Sequence, residues 1–167
     1  TIHAGATALK RLRQQGLRAA DVRVIPGAAG GPKGLILNPL DRYLFGDWLA
    51  GGKQPVHLLG ASIGAWRLAS ACMHNPAAAL AQMAEDYIVQ DYAHAPGKAP
   101  LPRHVSEVFG SKLVERFAGR EAEVLQHPRY RLHVFTSRGR HLLHRQRRWR
   151  MPLGYAGAFV ANSVSRK

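Results

Sequence analysis

Five residues, Gly60-Ala61-Ser62-Ile63-Gly64, concentrate the reactive potential of this chain. They follow the apolar run Val56-His57-Leu58-Leu59 and precede a helix-forming stretch from Ala65 to Met73. A serine in a G-x-S-x-G turn between a strand and a helix stands on a crowded, strained backbone, so its neighbours at Gly60 and Gly64 must be small. The helix behind it turns free N–H groups and its positive end toward the reacting centre. Ser62 therefore reads as a nucleophile for acyl transfer. The plainer alternative is a serine that only turns the chain between two elements.

A second segment, Gly27-Ala28-Ala29-Gly30-Gly31-Pro32-Lys33-Gly34, has the same context of strand before and helix after. Small residues at a helix N-terminus let backbone N–H groups face outward as a cradle for negative charge. In an acyl hydrolase that charge is the tetrahedral oxyanion, and in a nucleotide enzyme a phosphate. The P-loop order is missing, since Gly34 and Leu35 follow Lys33, and so is a clean G-x-G-x-x-G.

These motifs need elements to hold them. The sequence predicts an opening amphipathic helix over 8–18, a buried strand over 22–25, a glycine-rich loop over 26–34 and a helix over 35–50 with Pro39 in its first turn. A strand over 56–59, helices over 65–73, 77–92 and 105–117, a strand over 130–136 and an apolar helix over 152–164 follow. This alternation predicts an α/β fold, a parallel sheet with flanking helices, in a single domain over 1–167. Gly31 and Ser62 are 31 residues apart, room for one crossover helix and one strand. The two motifs should therefore end neighbouring parallel strands, where sheets of this kind place ligands.

A strand ending in Gly-Gly-x-Lys-Gly, one helix, and a strand ending in Gly-x-Ser-x-Gly resembles the patatin-like phospholipases. The resemblance covers Val22 to about Met73 closely and the remainder loosely. It implies that Gly30, Gly31, Lys33 and Gly34 form the oxyanion loop and that Ser62 attacks a lipid ester. It also implies that the base is an aspartate in a later Asp-Gly-Gly or Asp-Gly-Ala motif, with no histidine. Here the chain departs from the pattern. Asp21, Asp41, Asp47, Asp86 and Asp91 precede Val, Arg, Trp, Tyr and Tyr. The resemblance thus implies an N-terminal portion of a patatin-like domain, incomplete at its C-terminus and nearly inactive alone.

Other residues carry weaker signals. Nine histidines make a Ser-His-Asp order easy to find and therefore uninformative. His141 and His144 stand three apart without a third ligand, so neither a metal nor an organic cofactor is expected. Cys72, the single cysteine, reads as core filler.

The net charge of +14 is unevenly placed. Eight arginines and no acid lie between Arg129 and Arg150, among them Arg138, Arg140, Arg145, Arg147, Arg148 and Arg150. Beside Trp149 and Leu153, such a stretch suits an anionic membrane surface. Nucleic acid is the competing polyanion, but no helix-turn-helix, RRM or zinc-finger signature accompanies the charge. A solvated basic face is the plain reading. At 46% hydrophobic and 20% charged residues the composition is that of a folded globular domain. No apolar run is long enough to span a bilayer, and the opening Thr1-Ile2-His3-Ala4 does not resemble a signal peptide, which gives a cytoplasmic expectation, peripheral to a membrane at most.

Overall fold

Three β-branched and leucine-rich segments form the scaffold in the computed structural model, which describes residues 3–144 and 149–165. Strands β1 (Val24–Gly27), β2 (Val56–Ala61) and β3 (Tyr130–Phe135) pair in that order, all parallel. Val24 lies opposite His57 and Gly27 opposite Gly60, while Val56 lies opposite Tyr130 and Ala61 opposite Phe135. An α/β architecture with a parallel sheet and flanking helices is therefore present.

The described chain divides into two units, Thr1–Phe135 and Thr136–Lys167. The first contains the sheet together with α1 (Ala6–Gln15), α2 (Asn38–Tyr43), α3 (Ile63–Ala71), α4 (Pro76–Ile88), α5 (Pro102–Phe117) and α6 (Glu121–Leu125). Alternation of side chains along β2 turns Val56 and Leu58 inward, where they meet Phe45, Leu49, Leu68, Ala71, Cys72, Leu80 and Tyr130 in one buried cluster. The Phe45 and Tyr130 rings pack edge to face at 5.5 Å. On the opposite sheet face His57 and His133 are exposed and hydrogen-bonded to each other at 2.9 Å. In the second unit a short turn over His141–His144 precedes α7 (Arg150–Val164), and Leu142 and Leu143 pack on the helix where Gly154 leaves room. Among the described residues no helix is long and apolar enough to cross a membrane.

Several sequence expectations need correction. The first strand is shifted by two residues and its start is exposed. Residues Ala19–Asp21 form a 3-10 turn whose carbonyl at Ala19 accepts the Val22 N–H, and Val24 is 50% exposed. The helix expected over 35–50 is instead three consecutive pieces: a 3-10 turn over Gly31–Leu37, then α2, then a π turn over Leu44–Trp48. The wider turn is closed by the Leu49 N–H donating to Leu44 O at 2.8 Å. It brings Gly46 against α4, where a β-carbon would meet Ala77 Cβ at 3.0 Å. Both α5 and α7 begin earlier than expected, at Pro102 and Arg150, and α6 was not anticipated.

Ahead of β3, Arg129 is buried and reaches back through the fold. Its Nε donates to Gln54 O at 3.0 Å and its Nη1 to Leu49 O, joining the start of the last strand to the end of the π turn. The adjacent His127 Nδ1 accepts the N–H groups of Arg129 and Tyr130 at 3.1 and 2.8 Å. Burial, then the Arg131 and Arg129 charges, hold the His127 pKa below its ordinary value. Below about pH 6.5 the unfolded chain therefore binds a proton that the folded chain refuses, and stability falls as pH falls. Urea unfolding of the natural chain and His127→Gln between pH 7.5 and 5 should show a steeper acid loss in the natural chain. Parallel curves would contradict this role.

Candidate active site

The glycine-rich segments meet at one end of the sheet because β1 and β2 are parallel neighbours in register at Gly27 and Gly60. Beyond Ala61 the chain turns directly into α3, and the turning residue is Ser62. It has φ 53° and ψ −127°, and among the described residues only His141 is another non-glycine with positive φ. Such a conformation costs about 1–3 kcal/mol, which the surrounding packing must supply. Ser62 O accepts the Ala65 N–H at 2.9 Å and the Trp66 N–H at 3.3 Å, opening the helix. The Ser62 residue is exposed while Gly60, Ile63, Gly64 and Ala65 around it are buried. A strained, accessible serine at the positive end of a helix is what nucleophilic attack on a carbonyl requires.

The flanking glycines are sterically necessary. A β-carbon on Gly64 would stand 2.0 Å from Gly27 O, and one on Gly60 would stand 2.5 Å from Ala65 Cα. Both obstructions are backbone, which cannot move aside as a flexible side chain can. The same packing brings the glycine-rich loop onto the elbow. Gly27 and Ala28 face Gly64, and a β-carbon on Gly34 would meet Ile63 Cγ2 at 2.9 Å.

Within that loop the four candidate residues differ in their constraints. Gly31 has φ 53°, a region that favours glycine. Gly34 is buried against Ile63, whereas a β-carbon on Gly30 would enter open space. Gly30 caps the 3-10 turn, so the N–H groups of Gly30 and Gly31 lie ahead of its first internal bond. Pro32 has no N–H, and the Lys33 side chain is exposed. The arrangement can thus offer backbone donors to an anion near the serine.

An ion pair that the sequence reading missed holds the two motifs together. Arg67 on α3 donates to Asp41 on α2 through Nε at 2.6 Å and Nη2 at 2.8 Å, with both side chains under a tenth exposed. One helix continues from the glycine loop, and the other begins at Ser62. Asn38 adds a second tie, donating from Nδ2 to Leu80 O on α4 at 2.8 Å. The signal was present as a lone Arg67 within Ile63-Gly64-Ala65-Trp66-Arg67-Leu68, where only pairing makes a buried charge tolerable.

Among the described residues Ser62 makes no hydrogen bond to a histidine or a carboxylate. Asp41 is taken by Arg67, Asp21 by Arg11, and Asp86 by Arg116. His57 and His133 are paired with each other, and His127 is occupied by backbone donors. No group of three or more potential metal ligands occurs among the described residues. Cys72 is fully enclosed, and burial pushes its thiol up to about 12, so it behaves as core. Clefts of about 460 and 400 Å³ lie elsewhere, the first lined by Gln82, Asp86, Lys112 and Arg116 and the second by Phe45, Cys72, Arg129 and Tyr130. Of the basic stretch, Arg138, Arg140 and Arg150 are described, and Arg145, Arg147 and Arg148 lie outside the described residues.

No family model, no curated protein and no solved structure matches this chain.

The buried pair should behave asymmetrically on mutation. Asp41→Ala leaves an arginine charge enclosed and should cost about 3–5 kcal/mol, whereas Asp41→Leu with Arg67→Met should recover most of that loss. Equilibrium denaturation of both variants checks this. A double variant as unstable as the single one would show that the charges themselves are required.

Proposed function

We propose that this chain supplies the nucleophile and the oxyanion loop of a serine acyl hydrolase resembling the patatin-like phospholipases, acting on lipid esters. One observation carries the reading. Ser62 stands exposed at positive φ between two glycines that cannot be substituted without backbone collision, against the end of the strand that feeds the glycine loop. The Ser62 Oγ attacks the ester carbonyl, the bond to the leaving alcohol breaks, and an acyl-serine forms. The N–H groups of Gly30 and Gly31 carry the negative charge that develops on the carbonyl oxygen, and the start of α3 adds its dipole. Gly34 and Gly64 let the loop and elbow approach, and Lys33 adds a positive charge at the loop. The proton from Ser62 passes to an aspartate beyond residues 1–167 and from it to the leaving alcohol, and water, deprotonated by the same aspartate, then releases the acid while Ser62 regains its proton.

The test is ester hydrolysis by the natural full-length product. It should cleave short-chain nitrophenyl esters, and Ser62→Ala should lower kcat by roughly a thousandfold or more, leaving the small enhancement due to binding and the oxyanion donors. Residues 1–167 alone should show nearly none of this activity. Undiminished hydrolysis by Ser62→Ala refutes the nucleophile.

A second role, contact with an anionic membrane surface, is favoured by the second unit. No residue of α7 is buried, and Leu153, Tyr155, Phe159, Val160 and Val164 are all exposed. Trp149 lies beside the Arg150 guanidinium at 5.2 Å, an aromatic and a cation together at the head of this helix. Each basic residue near an anionic surface contributes roughly 1 kcal/mol, so Arg138, Arg140, Arg145, Arg147, Arg148 and Arg150 together would give measurable, salt-sensitive binding. Vesicles containing phosphatidylserine should bind the protein and shift Trp fluorescence to the blue, and duplex DNA at matched charge should not. Preference for DNA without such a shift assigns the basic stretch to nucleic acid instead.

A further inference from the structure

Phe109 on α5 gathers three aromatic neighbours. It meets Trp66 edge to face at 5.2 Å and Tyr87 at 6.1 Å, and stacks on Tyr92 at 6.2 Å. Trp66 belongs to the first turn of α3, with its N–H donating to Ser62 O. Tyr87 belongs to the last turn of α4. The ring of Tyr87 is therefore braced, through Phe109, against the helix that begins at the elbow. Its hydroxyl lies at the glycine loop, 3.9 Å from where a β-carbon on Gly31 would stand.

That hydroxyl is unemployed. Tyr87 is half-buried, and its Oη, without a hydrogen-bond partner among the described residues, is not enclosed and keeps access to water. A phenol hydroxyl held by its ring but open to water can exchange that water for an oxygen of the substrate. The loop beside it is short of donors. Pro32 has no N–H, and the Lys33 N–H is positioned to close the first 3-10 bond onto Gly30 O. An alkoxide oxygen can accept three hydrogen bonds, and the glycine loop itself offers two.

We propose that Tyr87 is a further catalytic residue of this site, its hydroxyl donating a third hydrogen bond to the oxyanion beside the Gly30 and Gly31 N–H groups. The inference rests on the reading of Ser62 as nucleophile. The phenol donates a hydrogen bond as charge develops on the carbonyl oxygen, while the Ser62 proton leaves to the base. An aromatic brace suits this task, because a donor that is held in place before the reaction loses no freedom during it.

Tyr87→Phe tests the proposal, since it removes one oxygen and keeps the ring on Phe109. In the natural full-length product kcat for a nitrophenyl ester should fall roughly 10- to 100-fold with KM little changed, as when one oxyanion donor is lost. The rate of Ser62 labelling by a fluorophosphonate should fall in parallel, because the charged phosphoryl oxygen occupies the same place. The thermal midpoint should stay within about 2 °C of the natural protein, separating loss of a donor from loss of packing. Ser62-dependent turnover that Tyr87→Phe leaves within about twofold overturns the role of Tyr87 alone. Turnover that does not depend on Ser62 overturns the nucleophile, and Tyr87 with it.

Discussion

The contact between the Gly27 carbonyl and Gly64 is the constraint from which the rest of this unit follows. With 2.0 Å between Gly27 O and a hypothetical β-carbon on Gly64, the first turn of α3 rests on the end of β1 with no side chain between them. Gly60 extends the same condition to β2, where Ala65 closes over it. Backbone packed on backbone fixes the helix start to within a fraction of an ångström. That fixed start forces the residue between strand and helix through positive φ, and the residue is Ser62. The strain is a consequence of close packing, so the serine is held in place without being enclosed.

Polar ties carry this precision outward, and each answers a particular difficulty. The segment from Gly31 to Trp48 changes its winding twice within eighteen residues, from a 3-10 turn to α2 to a π turn. Apolar contact alone is non-directional and would set the register of such a segment poorly. The bidentate pair of Asp41 with Arg67 and the donation from Asn38 to Leu80 O are directional, and they join α2 to α3 and α4. Arg129 does the same at the far end, holding carbonyls at Leu49 and Gln54. A buried ion pair is a poor source of net stability. Its value here is geometric, since it fixes the position of the glycine loop relative to the serine.

Local chemistry is what the sequence displays well. The turn was legible because G-x-S-x-G between an apolar strand and an apolar helix calls for a close strand-to-helix turn, and the parallel neighbourhood of β1 and β2 followed from a 31-residue interval. The π turn was not legible. Leu44-Phe45-Gly46-Asp47-Trp48 has ordinary helical periodicity, and its widening depends on Gly46 meeting Ala77, thirty-one residues away. The shifted start of β1 is a similar case, because Val22-Arg23-Val24-Ile25 is uniformly strand-like and only the turn at Ala19–Asp21 decides where pairing begins. The Asp41–Arg67 pair lay between these extremes, visible as two charges in apolar surroundings but not as a pair. Tyr87 left no signal, since its place beside Gly31 is set by the packing of α4 and α5.

The charge distribution changes shortly before the boundary between the two units. Up to Pro128 the chain has fourteen basic and ten acidic residues, and beyond it ten basic residues and no acid. In the first unit six of those acids are engaged with arginine or lysine, and the pairs of Arg67 and Arg116 are sheltered from solvent. Charge there is spent on holding helices. After Phe135 the sequence has no acid, so the second unit has no carboxylate of its own with which its arginines could pair. A helix with no buried residue gains little stability from its own contacts. A surface both anionic and apolar, as in the membrane role proposed above, would meet the arginines and the exposed apolar side chains of that helix together, which duplex DNA would not. The proposed lipid role of Ser62 and the proposed lipid contact of the basic stretch are therefore separate proposals, resting on different residues and different physics.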